Sequence, residues 1–240
     1  MKKLTNIILL IILTSCNSKS NNEPINKTQT DSSSNKTNIR QKETTIIDID
    51  TLQINGFQFI QTIKDDKFNC LVTIKGDTII KAEDYYFQAK FLDINEDGYK
   101  DIRVFTFSNT PNECENYLFD KNLKTFKQIE NCDLDIKKIK GTDFYYSYNR
   151  AGCADMDWES HLSKIENYKL VGYGFINGKG CDFEIKENPQ VIEIYKVTNS
   201  ENNSMKLIAS LAYLKHIPKI ADKRDFIEKY WLQNYKTFDR

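Results

Sequence analysis

From Thr44 onward, short apolar runs rich in Ile, Val, Tyr, Phe and Thr alternate with clusters of turn residues. Runs of this kind predict antiparallel strands, because side chains along a strand point to alternate faces. Residues 56–63 partly alternate apolar and polar positions, and 71–80 read as a hairpin turning at Gly76-Asp77. Residues 86–93, 102–107, 144–148, 168–175, 191–197 and 205–211 continue the series. A further hairpin runs from 117–120 to 124–127 about Lys121-Asn122-Leu123. The spacing predicts roughly ten to thirteen strands, with no repeat strict enough for a solenoid or a full propeller. The C-terminal end differs. Phe226, Ile227, Tyr230 and Trp231 form one apolar stripe at helical spacing, Pro218 precedes them, and Asp222 can cap, with Asp225 in the first turn. The expected fold class is mainly β: antiparallel strands in a sandwich or propeller-like domain, closed by one helix over 222–236 whose aromatic stripe is core.

Two N-terminal segments break this pattern. Residues 7–13 are a nearly unbroken apolar run behind Lys2 and Lys3, ending in Thr14-Ser15-Cys16. These are the three parts of a secretory signal, and the run falls short of the ~20 apolar residues a spanning helix needs. Residues 17–42 are mostly Ser, Asn, Thr and Lys. Such a stretch buries too little apolar surface to offset its ordering entropy, so it reads as a tether. The expected organisation is a signal over 1–15, a tether over 16–43 and one β-rich domain over 44–240.

Charge narrows the partners. The 34 basic and 34 acidic residues cancel and are mixed along the chain, with no basic tract to grip nucleic acid. An exported chain folds in an oxidising space, where disulfides persist. Beyond Cys16 there are Cys70, Cys114, Cys132, Cys153 and Cys181. Folding the 117–127 hairpin brings Cys114 and Cys132 nearly opposite one another, so a bond is expected there. Cys153 and Cys181 then pair by elimination, and Cys70, in a strand-like run, is a small core residue. No C-x-x-C pair exists, so zinc is not expected.

The motif with chemistry is Asp93-Ile94-Asn95-Glu96-Asp97-Gly98-Tyr99-Lys100-Asp101. Oxygen side chains recur at loop positions 1, 3, 5 and 9, with Gly98 at position 6 to permit a tight bend and the Tyr99 carbonyl at position 7. Three carboxylates and an amide carbonyl suit Ca²⁺ in a structural role. Position 12 is Val104, so the loop is not an EF-hand. An ion-free turn held by its own Asx hydrogen bonds is the alternative.

A second cluster is Asp155, Asp157, Glu159 and His161. On a strand, Asp157, Glu159 and His161 share one face, which could serve an envelope hydrolase or a metal; a solvated face beside a disulfide loop is the plainer reading. No H-E-x-x-H, G-x-S-x-G or Gly-rich phosphate loop supports enzymatic activity, and no catalytic residue is assigned. His216 reads as an ordinary polar residue, and residues 145–150 could form an aromatic binding surface.

Leu13-Thr14-Ser15-Cys16 resembles the lipobox of bacterial lipoproteins. The resemblance implies that Cys16 becomes the first mature residue and carries acyl chains. The residue after Cys16 is Asn17 rather than Asp, which in that family implies the outer membrane, here on its periplasmic face. The 93–101 loop is similar to the calcium loops between strands of FG-GAP and integrin-type propeller repeats, which implies Asp101 as a direct ligand. The stretch 91–126 also resembles exported proteins with a single such loop. In them a strand and a hairpin ending in Tyr-Leu-(Phe/Tyr)-Asp…Lys-x-Phe follow the loop, matched here by Tyr117-Leu118-Phe119-Asp120 and Lys124-Thr125-Phe126. Some of those are immunity lipoproteins that block peptidoglycan-cleaving toxins, with folds similar to periplasmic lysozyme inhibitors. The resemblance implies a protein partner such as a peptidoglycan hydrolase. The Ser-Gly-x-x-Tyr plug of several lysozyme inhibitors is absent, so no inhibitory residue is carried over. The expected function is a lipid-anchored envelope binding module, against the alternatives of an envelope hydrolase and a passive structural lipoprotein.

Overall fold

The computed structural model describes residues 46–82, 86–110, 112–182, 190–200, 202 and 204–240. Cys16, the signal and the tether lie outside the described residues.

Three antiparallel sheets follow one another along the chain. The first holds β1 (Ile47–Ile54), β2 (Phe57–Lys64), β3 (Lys67–Thr73) and β4 (Thr78–Lys81), each paired with its sequence neighbour. Its first two turns, Asn55-Gly56 and Asp65-Asp66, have positive φ at both residues, the geometry of tight hairpins. The second holds β5 (Tyr86–Leu92), β6 (Asp101–Thr106), β7 (Cys114–Asp120) and β8 (Thr125–Gln128), again in sequence order. The third combines β9 (Lys137–Lys138), β10 (Phe144–Tyr146), β11 (Asn149–Gly152), β12 (Asp157–Glu166), β13 (Lys169–Gly178), β14 (Val191–Asn199) and β15 (Ser204–Ala212). Its order is β15-β14-β13-β12-β10-β9, with β11 also beside β12. The short α1 (Tyr213–His216) and the long α2 (Lys223–Phe238) complete the chain. The fold class is mainly antiparallel β with a C-terminal helix. The strand total exceeds the expectation because β9 and β11 are too short to announce themselves in the sequence.

The middle sheet is buried on both faces. Ile102, Val104, Tyr117, Phe119 and Phe126 pack with Phe59, Phe68, Leu71 and Ile80 of the first sheet. The next residue along β7, Leu118, points the other way and packs with Ile129, Ile136 and Tyr145. Strand alternation thus places Asp101, Arg103, Cys114 and Asn116 on the face toward the third sheet, where all four are buried. Their polar atoms are engaged locally. Arg103 donates to Asn116 Oδ1 at 2.8 Å and to the Ile136 carbonyl at 2.9 Å. The Asn116 amide nitrogen donates to the Leu134 carbonyl at 2.9 Å and the Cys132 carbonyl at 3.1 Å.

Two cysteine expectations need correction. The predicted Cys114–Cys132 disulfide is absent; both thiols are free and buried. The hairpin does bring the two segments together, since the Cys114 N–H donates to the Asp133 carbonyl at 3.0 Å. The Asn116 amide then takes both sulfurs as acceptors, at 3.5 Å from Cys114 Sγ and 3.2 Å from Cys132 Sγ. Burial, the largest influence, pushes both thiols up to about 12. Cys70 is only half-buried, its sulfur 3.0 Å from Thr62 Oγ1. The Cys153–Cys181 disulfide is present, with Cα atoms 5.6 Å apart.

Helix α2 lays Ile227, Trp231 and Phe238 on the third sheet beside Trp158, Leu162, Ile176 and Ile194. Buried indoles need partners: Trp231 donates to Ser160 Oγ at 2.8 Å, and Trp158 to Tyr213 Oη at 3.1 Å. Asp222 does not cap α2. Its carboxylate instead accepts the Lys219 N–H at 3.2 Å, closing a short 3-10 turn over Ile220–Asp222.

The Trp158 ring lies directly on Gly178, where an added Cβ would come within 2.1 Å of the indole. At Gly172 the nearest atom would be Val197 Cγ2, at 3.8 Å. Gly178→Ala should therefore lose about 2–3 kcal/mol and Gly172→Ala less than ~1, read as urea midpoints at unchanged slope. Equal losses would contradict this seat for Trp158.

Candidate functional site

The 93–101 loop sits where the three sheets meet. Asp93 accepts the Asp97 N–H at 3.1 Å through Oδ1 and the Gly98 N–H at 2.9 Å through Oδ2. Asn95 Oδ1 shares the Asp97 N–H at 3.1 Å, and Asp97 Oδ1 accepts from Tyr99 N–H at 2.9 Å. Gly98 has the left-handed φ, +89°, that the motif anticipated. Asp101 turns inward, its two oxygens accepting from Phe119 N–H at 2.8 Å and Ile94 N–H at 2.7 Å. Burial, opposed by those two hydrogen bonds and aided by Asp97, pushes its carboxyl up to about 6.

Neighbours that the motif did not reveal hold the loop from outside. Asn55, at the β1–β2 turn, accepts the Lys100 N–H at 2.7 Å and donates to the Lys100 carbonyl at 2.8 Å. The Lys138 ammonium, on β9, donates to the Asn95 carbonyl. Tyr99 stacks on Phe119 with ring centroids 5.6 Å apart.

Asp93, Asn95, Asp97, the Tyr99 carbonyl and Asp101 suit a hard cation in kind. A carboxylate oxygen that accepts one backbone N–H keeps a second lone pair. The crowding of Asp101 by Asp97 is the electrostatic problem a bound cation relieves. Among the described residues no three His, Cys, Asp or Glu side chains converge as a metal site by themselves, so an ion here would draw on Asn95 and the backbone.

Strand β12 behaves as its alternation predicts. Trp158, Ser160 and Leu162 are buried; Asp157, Glu159 and His161 face outward. They do not assemble as an acid/base group. Asp157 Oδ1 accepts the N–H groups of Gly180 and Cys181 at 2.9 and 3.0 Å, which ties the disulfide loop to β12. His161 lies against Phe175 with ring centroids 4.9 Å apart. Desolvation lowers its pKa against the opposing charges of Glu159 and Asp133, although the residue as a whole is exposed. Residues 145–150 are not an exposed aromatic surface: Tyr145 packs toward the middle sheet, Tyr146 and Tyr148 toward α2.

The longest run of positive φ among the described residues lies beside the disulfide. Gly152, Cys153, Ala154 and Asp155 have consecutive positive φ values of 123°, 47°, 51° and 74°. A left-handed turn of L-residues costs about 1–2 kcal/mol per residue, so neighbours must hold it. The disulfide fixes Cys153. The buried Lys223 ammonium, on α2, donates to the Asp155 carbonyl at 2.6 Å and pairs with its carboxylate, which also accepts from Tyr148. Burial would raise the Asp155 pKa, but the hydrogen bonds from Lys223 and Tyr148 bring it below its ordinary value.

No family model matches the chain, and no curated protein matches it. A search of solved structures finds similarity to a structure described as that of a Xanthomonas Type IV Secretion System related protein. The two chains are 15% identical, with 70% of this chain and 86% of that one covered at a TM-score of 0.41. A likeness this low carries no argument about activity.

Because Asp155 titrates lower in the folded than in the unfolded chain, its pair with Lys223 stabilises the fold above the ordinary carboxylate range. That contribution is lost as the pH falls through the folded value. Lys223→Met should cost about 2–4 kcal/mol near neutral pH, and the deficit should shrink at about pH 3. Denaturant titrations of both proteins at the two pH values would check this; a deficit unchanged at low pH would remove Asp155 as the cause.

Proposed function

We propose that this chain is a lipid-anchored binding module of the bacterial cell envelope. It is held at the periplasmic face of the outer membrane by acyl chains on Cys16, and its partner is a protein such as a peptidoglycan hydrolase. Leu13-Thr14-Ser15-Cys16 behind the basic start and apolar run carries the reading. The Cys153–Cys181 disulfide is compatible with an oxidising compartment. Two acyl chains anchor stably where one is marginal, and a tether of about thirty residues would let the domain reach roughly 30 Å, which suits a domain waiting for a mobile partner. A binding role is favoured over a hydrolase because Asp157, one of the three outward groups, is held by the Gly180 and Cys181 amides.

In this reading Ca²⁺ stiffens the joint between the sheets through Asp93, Asn95, Asp97, the Tyr99 carbonyl and Asp101. Millimolar Ca²⁺ should raise the melting temperature of the purified protein by several degrees over chelator, and Asp97→Ala should erase the difference. No calorimetric heat and no shift would remove calcium from the reading.

Cells fed radiolabelled palmitate should label the protein, and Cys16→Ser should abolish the label. Affinity capture from detergent-solubilised envelopes should retain a wall-cleaving enzyme in stoichiometric amount. Labelling without capture would leave a passive lipoprotein, and turnover of cell-wall substrate lost in His161→Ala would replace binding by hydrolysis.

A further inference from the structure

Three turns, two from the second sheet and one from the third, meet around a cleft of about 360 Å³. The 93–101 loop supplies Asn95 and Asp97, the β7–β8 turn Asp120 and Asn122, and the β12–β13 turn Asn167 and Tyr168. Below them lie Leu118, which is buried, and Ile165, which is half-buried. The β12–β13 turn is unusual. Glu166 pairs with Lys169, so Asn167 and Tyr168 form a two-residue hairpin turn, with φ of 51° and 62°. Glycine commonly takes the second place in such a turn, and a left-handed backbone strains a bulky ring. Tyr168 is held there from several sides. Its carbonyl accepts the Glu130 N–H at 2.7 Å, its hydroxyl donates to Asp120 Oδ2 at 3.0 Å, and the Lys127 ammonium lies 4.1 Å from its ring centre. The strained turn fixes Tyr168 at the cleft.

The rim indicates what the cleft can take. Asp120 is already committed: Oδ1 accepts the N–H groups of Asn122 and Leu123 at 2.9 and 3.0 Å, and Oδ2 accepts from Tyr168. Those bonds, led by the Leu123 N–H, hold its carboxyl below the ordinary value, so it stays ionised. An anion would meet Asp120 and Asp97 with Lys121 alone to offset them. The side-chain amides of Asn122 and Asn167 are exposed and have no hydrogen-bond partner among the described residues. Each amide presents a donor and an acceptor side by side. A cation would use the acceptor half alone, whereas a pair of neighbouring hydroxyls uses both. Apolar surface beneath a rim of amides suits a molecule with hydroxyls at its edge and C–H groups on its face. The volume lies in the range of small-ligand sites.

We propose that this cleft is a binding site for a short neutral saccharide. The amides of Asn122 and Asn167 pair with its hydroxyls, Leu118 and Ile165 lie under its C–H face, and Tyr168, fixed by Asp120, closes one side. Asn122 and Asn167 stand outside the 93–101 loop, so the site does not depend on calcium. It depends on neither lipid attachment nor a protein partner, and it can fail or hold independently of the function proposed above.

The test is titration calorimetry of the purified full-length chain, with chelator, in a detergent that has no sugar headgroup. The probes are N,N′-diacetylchitobiose and its trimer, which carry the N-acetylated sugar of cell-wall glycan, against maltotriose and cellotriose, up to about 10 mM, the weak end of small-ligand affinity. At least one should bind saturably at one per chain. Preference for the N-acetylated pair would assign wall glycan as the source, and preference for the others a plain hexose chain. Asn122→Ala should weaken binding about five- to tenfold, the loss expected for one or two neutral hydrogen bonds. Asn167→Gly removes the amide, keeps the left-handed turn open to its backbone, and should weaken binding comparably. Both side chains are exposed and unpartnered, so melting temperatures should stay near that of the unaltered protein. The proposal is overturned if none of the four saccharides binds, or if one binds and neither substitution changes its affinity.

Discussion

The bonds from Arg103 and Asn116 are the constraint on which the rest of the structure depends. A sheet buried on both faces ordinarily carries apolar residues on both. Here the face toward the third sheet carries a guanidinium, an amide and a carboxylate. Arg103 reaches Asn116 and the Ile136 carbonyl, and Asn116 reaches the carbonyls of Cys132 and Leu134. Those carbonyls belong to the connection that leaves β8 and enters β9. The middle sheet is thus fastened to the next layer by directional bonds, while apolar packing fastens it to the first. Packing tolerates sliding; hydrogen bonds from a buried guanidinium do not.

The 93–101 loop applies the same logic at another corner. Asn55 from the first sheet, Phe119 from the second and Lys138 from the third all contact it. Asp101 contributes most, because one carboxylate accepts N–H groups from both the loop and β7. The loop is a joint whether or not an ion occupies it. An ion would change the electrostatics of the joint more than its connectivity.

Much of the fold was legible because hairpin sheets are local. Strand alternation, the turn residues Gly76-Asp77 and Lys121-Asn122-Leu123, and the apolar stripe of α2 are short-range signals, and each corresponds to an element seen. β9 and β11 were not legible, since so few residues carry no periodicity. The inward-facing set on β12 followed from alternation, but the commitment of Asp157 to the Gly180 and Cys181 amides did not, as those partners lie more than twenty residues away. The Cys114–Cys132 pairing rested on hairpin proximity and neglected Asn116, the next residue on the same face. A sign was present in the sequence: Arg103 and Asn116 interrupt strands otherwise rich in apolar residues, and polar groups in such places require partners. Lys223 and the left-handed turn it holds left no comparable trace.

The sequential order of the sheets has a consequence for how the chain acquires its structure. In the first two sheets each strand pairs with the one before it, so either can form as soon as its own hairpins have left the ribosome. The middle sheet then has an interval in which one side is covered and the other is not. Its bare side displays Arg103, Asn116 and Cys114 to water until the next stretch of chain arrives. A polar surface at that stage is a safe one, since it does not invite the aggregation that an apolar surface would. The polar groups that make the finished layer rigid are also the ones that keep the unfinished layer soluble.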